Sequence, residues 1–200
     1  MFTGIIEAFG EVSSLEKEGE NLHLTLESPL AQELKIDQSL AHNGVCLTVV
    51  ACQSNRYTVT AIKETLDKTN LNTLAVGSKI NLERAMMAGA RFDGHMVQGH
   101  VDQVAQCVAI KEEDGSWRFT FQFDPLPGNV LIEKGSITVN GVSLTLVDVE
   151  TNRFSVAIIP YTYEHTNFHQ LEIGSLVNLE FDMMGKYIAK LQSQMKNSYI

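Results

Sequence analysis

The chain has 200 residues, 44% of them hydrophobic and 20% charged, and a formal net charge of −9. Its lysines and arginines are scattered, so it offers no basic footprint for nucleic acid, which binds through phosphate neutralisation. Cys46, Cys52 and Cys107 are an odd, sparse set without a C-x-x-C pair, which argues against a disulfide frame or a zinc site and predicts free thiols.

The first residues, MFTGIIEAFGE, carry no basic lead and no long apolar run. Neither a secretory signal nor a membrane span is expected, which makes the cytoplasm the default location. Period-two alternation follows at Leu22, Leu24 and Leu26, at Tyr57, Val59 and Ala61, and at Ile80 and Leu82. It returns at Trp117, Phe119, Phe121 and Phe123, at Phe154, Val156 and Ile158, and at Val177, Leu179 and Phe181. About six short strands fit each half, and strands so spaced, without long crossover helices, favour closed antiparallel barrels that leave no exposed edge.

Ser28-Pro29 and Asp124-Pro125 each place a capping residue before a proline, predicting a brief helix at the same point of each barrel. Near the C-terminus Met184, Tyr187, Ile188, Leu191 and Met195 fall on one face of a longer helix. That stripe suits either a lid folded back on its own barrel or a contact between chains.

The halves are copies. NGVCLTVV at residues 43–50 returns as NGVSLTLV at residues 140–147, an offset of 97. The same offset carries Thr69-Asn70 onto Thr166-Asn167 and Gly77-Ser78 onto Gly174-Ser175. It predicts two units, 1–90 and 91–182, followed by a helix over 183–200. Both Asn-Gly pairs are candidates for tight turns with positive φ. Under this offset Cys46 faces Ser143, Thr3 faces His100, Lys63 faces Pro160 and Glu64 faces Tyr161. Similar half-sites have thus been given different chemistry.

The densest polar run is RFDGHMVQGHVD, residues 91–102. Glycines break the helix on which His95 and His100 would have to share a metal, and no third ligand stands at metal spacing. The histidines either hydrogen-bond across strands or serve as a general acid or base near neutral pH. No G-x-G-x-x-G or G-x-x-x-x-G-K-[ST] occurs, which argues against a dinucleotide fold and a P-loop. Cys46 and Ser143, followed by Thr48 and Thr145, are either small residues packed against the turns or two matched polar rows for two copies of a flat heteroaromatic ligand. A serine triad is disfavoured, because no G-x-S-x-G elbow surrounds Ser143.

MFTGII, NGVCLTV, KETL with its following TN, ERA, GHMVQGHVD, VNGVSLTLV and FSVAIIPYT, in that order over nearly the whole chain, resemble the riboflavin synthase alpha-chain family. The resemblance implies an all-β fold of two tandem Greek-key barrels and a homotrimer held partly by the C-terminal helix, with lumazine synthase as a further candidate partner. The implied reaction is a dismutation of two 6,7-dimethyl-8-ribityllumazine molecules to riboflavin and 5-amino-6-(ribitylamino)uracil. It balances its own electrons, so neither cofactor nor metal is called for.

Carried over by motif, one half-site comprises Gly4, Ile5, Ile6, Cys46, Leu47, Thr48, Thr60, Ala61, Ile62, Lys63, Glu64 and Thr65. The other comprises Gly99, His100, Val101, Lys134, Ser143, Leu144, Thr145, Ala157, Ile158, Ile159, Pro160, Tyr161 and Thr162. In this reading His100 with Ser143 moves protons and activates a nucleophile, Cys46 and Thr48 hold and polarise the partner lumazine, and each active site draws on two chains. Three positions depart from the family pattern: Asp93 and Gln103, where glycine is common, and Asn140, where an aspartate is common. The competing reading is a non-catalytic antenna protein of the same fold, similar to the lumazine proteins. It would have lost the second half's motif residues, and His100, Ser143 and Thr145 are all in place.

Overall fold

The computed structural model describes residues 1–197. Twelve strands form two closed antiparallel barrels of six. The first contains β1 (Ala8–Glu18), β2 (Asn21–Glu27), β3 (Ser39–His42), β4 (Val45–Gln53), β5 (Arg56–Ala61) and β6 (Lys79–Arg84), arranged 1-2-5-4-3-6. The second contains β7 (Gln103–Glu113), β8 (Ser116–Gln122), β9 (Ser136–Val139), β10 (Val142–Val149), β11 (Arg153–Ile158) and β12 (Leu176–Phe181), in the matching order. The alternation read from sequence gives the barrels their interiors. Leu22, Leu24 and Leu26 point inward in β2 while Asn21, His23 and Thr25 stay partly exposed. Paired bulges at Val12/Ser14 and Cys107/Ala109, and at Val49/Ala51 and Leu146/Asp148, add the local bend that closure needs.

The two cores differ in kind. The first is mostly aliphatic, built on Leu24, Leu26, Leu40, Val49, Val59, Ile80 and Leu82. The second is aromatic, with Phe119, Phe121, Phe123, Phe154, Phe168 and Phe181 in edge, tilted and stacked contacts, Phe119 and Phe168 lying 5.0 Å apart in a T-shape. Each such side chain withdrawn from water contributes about 1.5–3 kcal/mol. His42 is the polar exception inside the first barrel. Its Nδ1 lies 3.0 Å from the Leu40 carbonyl and its Nε2 3.0 Å from the Tyr57 hydroxyl. The second barrel carries Val139 and Phe154 at the corresponding places, both buried.

The short helices depart from expectation. Ser28 caps a 3₁₀ helix over Pro29–Glu33 as predicted. Asp124-Pro125 starts none, because Pro127 disfavours helical backbone at Leu126 and Gly128 follows at φ 93°. The β8–β9 connection is instead an open loop, two residues longer than its counterpart. Gln103 ties it down: its side chain donates to the Asp124 carbonyl at 3.0 Å and accepts the Asp124 N–H at 3.1 Å. The runs that follow β5 and β11 are helices, α1 (Lys63–Lys68) and α2 (Pro160–His165), each followed by a 3₁₀ turn.

The longer second loop also changes the repeat register. The offset is 97 from β3 onward but 95 across β1 and β2. His100 is therefore the counterpart of Ile5 and not of Thr3, and Gly99 (φ 81°) that of Gly4 (φ 79°). Only a constant offset, which the sequence does not have, makes Thr3 and His100 equivalent.

The barrels meet across six buried asparagines. Asn43 and Asn140, at φ 47° and 46°, open the two Asn-Gly turns. Asn81 donates its amide to the Asn140 carbonyl and Asn178 to that of Asn43, both at 2.9 Å. The backbone N–H of Asn70 donates to Asn178 Oδ1, and that of Asn167 to Asn81 Oδ1, both at 2.7 Å. The repeated Thr-Asn pairs are thus explained as part of the seam between the barrels. Such a network holds one relative orientation, because any shift strands several buried amides together.

Helix α3 (Met183–Asn197) follows the second barrel, so of the segment 183–200 the last three residues lie outside the described ones. Lys186 anchors it to Asp102 at 2.7 Å. Its stripe does not cover the chain's own barrel: Met184, Tyr187, Ile188, Leu191 and Met195 are all more than half exposed. No described helix is long and apolar enough to cross a membrane.

Candidate active site

Each barrel's polar row begins two residues after an Asn-Gly turn, where the first residues of β4 and β10 leave the seam. Cys46 and Ser143 are half-buried there, and Thr48 and Thr145 further along are exposed. What covers each row comes from the other half of the chain. The Ser143 N–H donates to the Gly4 carbonyl and the Cys46 N–H to the Gly99 carbonyl, both at 2.8 Å. The two segments are themselves bridged, Phe2 to Val97. Glycine is required at both crossings. A Cβ on Gly4 would stand 2.6 Å from that of Ser143, and one on Gly99 2.7 Å from that of Cys46.

This crossing regroups the predicted residues. Gly4, Ile5 and Ile6 lie with Ser143, Leu144 and Thr145, and Ile6 packs on the second core. Gly99, His100 and Val101 lie with Cys46, Leu47 and Thr48, and Val101 packs on the first core. The runs after β5 and β11 stay with their own barrels. Thr60 bonds His23 at 2.9 Å, Ala61 is buried, Ile62 is exposed, and Lys63 and Glu64 pair with Glu20 and Lys68 while Thr65 accepts from Thr69 through its carbonyl. In the second run Ala157, Ile159, Pro160 and Tyr161 are exposed, Ile158 is core, and the Thr162 carbonyl accepts from Thr166. Lys134, exposed at φ 67°, bonds the Leu146 carbonyl, next to Thr145, through its backbone.

The expected pairing of His100 with Ser143 does not occur within one chain. His100 is exposed on the Cys46 side, its backbone N–H held by Glu180 at 2.9 Å. The histidine at Ser143 is His95, whose Nδ1 lies 2.7 Å from Ser143 Oγ and whose Nε2 lies 3.2 Å from Thr138 Oγ1. Gly94 clears the approach, since a Cβ there would fall 2.9 Å from Ser143 Oγ. Burial lowers the His95 pKa, with Asp182 pulling the other way, so the imidazole is neutral at pH 7. The tautomer in which Nδ1 accepts the Ser143 proton turns Nε2–H toward Thr138, an arrangement suited to a general base. Sequence reasoning weighed His95 but left it out of the site. The Gly-His pairs were visible; which histidine meets Ser143 depends on a crossing that local pattern does not encode.

A cleft of about 440 Å³ opens between the N-terminal segment, β6 and residues 84–91. Of the predicted site residues only Ile5 lines it. Arg84 is fixed there between Glu7 and Glu33.

Comparison with known proteins agrees with the duplicated fold. The lumazine binding domain model matches twice, over residues 3–85 and 98–182. Riboflavin synthase from Bacillus subtilis (strain 168) is 44% identical over 94% of this chain and 88% of its own, and that from Actinobacillus pleuropneumoniae is 43% identical with the same coverage. Among solved structures, LumP complexed with riboflavin superposes with a TM-score of 0.83 at 25% identity, covering 90% of this chain and 99% of its own. With both halves matched and identity sustained along nearly the full length, the chain belongs to the riboflavin synthase family of duplicated lumazine-binding proteins.

Proposed function

We propose that the chain catalyses the dismutation of two 6,7-dimethyl-8-ribityllumazine molecules, one giving a four-carbon unit to the other to form riboflavin and 5-amino-6-(ribitylamino)uracil. The observation that carries this reading is the His95–Ser143 couple, set in one of two otherwise matched half-sites. Cys46 has no side-chain hydrogen bond among the described residues, so identical guests meet unequal chemistry.

The donor's 7-methyl protons are acidic because the carbanion delocalises into the ring, and the acceptor must be attacked at ring C7. Ser143 Oγ adds at C7 as its proton passes to His95 Nδ1 and the C7 double-bond electrons shift into the ring; the C7–O bond breaks again, and His95 returns the proton, once the four-carbon unit has been passed on. His100, exposed on the other half-site, takes a methyl proton from the partner lumazine. Cys46 and Thr48 hold that partner, and the runs after β5 and β11 grip the remainder of each ligand. Orienting two rings against each other can supply about 7–11 kcal/mol of the barrier.

His100 and Ser143 lie on separate half-sites of one chain, so the reading has them meet across two chains, in a homotrimer joined through the exposed stripe of α3. We assign that stripe to self-association ahead of lumazine synthase. Incubating the purified chain with the lumazine and following flavin absorbance tests the activity. Stoichiometric binding without product would leave an antenna-type binder instead.

A further inference from the structure

Glu83 and Glu180 are counterparts in β6 and β12, only 5% and 3% exposed. Among the described residues neither carboxylate makes an ion pair within 4 Å, although a buried charge without compensation is costly. Backbone N–H groups do most of the compensating, joined by the Thr3 hydroxyl at Glu83 and by the more distant charge of Lys186 at Glu180. Glu83 Oε1 accepts from the Thr3 N–H at 2.7 Å and the Thr3 hydroxyl at 2.9 Å, and its Oε2 from the Gly4 N–H at 3.0 Å. Glu180 Oε1 accepts from the Gln98 N–H at 2.6 Å, and its Oε2 from those of Gly99 and His100, both at 2.9 Å.

These are the two crossing segments. Gly4 is gripped on its N–H side by Glu83 of the first barrel and presents its carbonyl to Ser143 of the second. Gly99 is gripped by Glu180 of the second barrel and presents its carbonyl to Cys46 of the first. The next residue along that second segment is His100, whose side chain is exposed and whose N–H ends on Glu180.

We propose that Glu83 and Glu180 are positioning residues that act across the molecule, Glu83 setting the Ser143 half-site and Glu180 setting the Cys46 and His100 half-site. A carboxylate is needed because it only accepts, through two oxygens. Glutamine has the same shape but turns an NH₂ toward donors on one side, and so loses part of its hold while leaving the barrel packing in place.

The proposal deepens the lumazine reading and rests on it for its catalytic consequence, but its geometric core can be tested without turnover. In the full chain carrying Cys52→Ser, Cys46 is the half-buried thiol and Cys107 the buried one, so a disulfide reagent reports on Cys46. Glu180→Gln is expected to speed Cys46 modification several-fold, because the segment over it loosens. Glu83→Gln should leave that rate unchanged. Both variants should lower kcat about 10²-fold, the scale of a misplacement near 1 Å. Should Glu180→Gln not fold, Glu180→Asp keeps both acceptors one methylene back and is expected to give the same asymmetry at smaller amplitude. Equal change of the Cys46 rate in both variants, or change in neither, overturns the proposal. Loss of flavin formation in the unmutated chain, with the Cys46 asymmetry intact, would instead overturn the functional reading alone.

Discussion

His95 Nδ1 stands 2.7 Å from Ser143 Oγ, and the same ring reaches Thr138 through Nε2. If this pair moves the proton, removing either member strikes turnover and spares binding. His95→Ala and Ser143→Ala are each expected to lower kcat about 10²–10⁴-fold, with lumazine affinity by titration little changed. The double variant should be scarcely worse than either single one, because the two act as a unit. Parallel losses in binding and turnover would make them ligand props.

Acidity gives a second check. A base works when neutral, and burial holds His95 below the usual imidazole value of 6.5. The acid limb that belongs to His95 should therefore lie below 6.5. Asp182 raises the His95 pKa, so Asp182→Asn should push the acid limb of the pH–rate profile lower still. A limb that stays in place, or moves up, contradicts His95 as the base.

His42 predicts a stability effect of separate origin. Burial lowers its pKa from 6.5 to about 4. As pH drops from 6.5 toward 4 the unfolded chain binds a proton that the folded barrel refuses, so stability complete above 6.5 is lost on acidification. The gap is worth about 3 kcal/mol. His42→Val with Tyr57→Phe copies the second barrel's Val139 and Phe154, and urea titrations across pH should show this contribution gone. Tyr57→Phe alone leaves Nε2 buried without a partner and should cost more than the pair of changes together.

Gly44 and Gly141 pack back to back at the seam, where a Cβ on either would come within 2.8 Å of the other's backbone nitrogen, and both have φ 81°. Gly44→Ala or Gly141→Ala is expected to destabilise the fold by about 2–4 kcal/mol, combining left-handed strain with overpacking. A chemical-denaturation midpoint unchanged by either substitution would show that the seam yields.

The exposed α3 stripe predicts assembly. If the proposed homotrimer forms through this stripe, the chain cut before Met184 should be monomeric by light scattering, and a trimer that survives the cut would place the contact elsewhere.

The barrels were legible in the sequence because their causes are local. Alternation at Leu22, Leu24 and Leu26 fixes an inward face, and Asn43-Gly44 can only turn one way. The second loop was misread because Asp124-Pro125 matches a helix start, while the stop lies two residues on, at Pro127. The sequence reading grouped Gly4–Ile6 with Cys46 and Gly99–Val101 with Ser143, whereas each segment lies across the other row. Nothing near Gly4 signals Ser143, 139 positions away; that contact is decided by Glu83, by the Phe2–Val97 bridge and by the amide seam.

Crossed covers bind the fate of the copies together. Before such an exchange, twin modules can drift, be lost or be shuffled separately; afterwards each keeps the other's mouth in shape, and a gene cut at the midpoint would ruin two workshops at once.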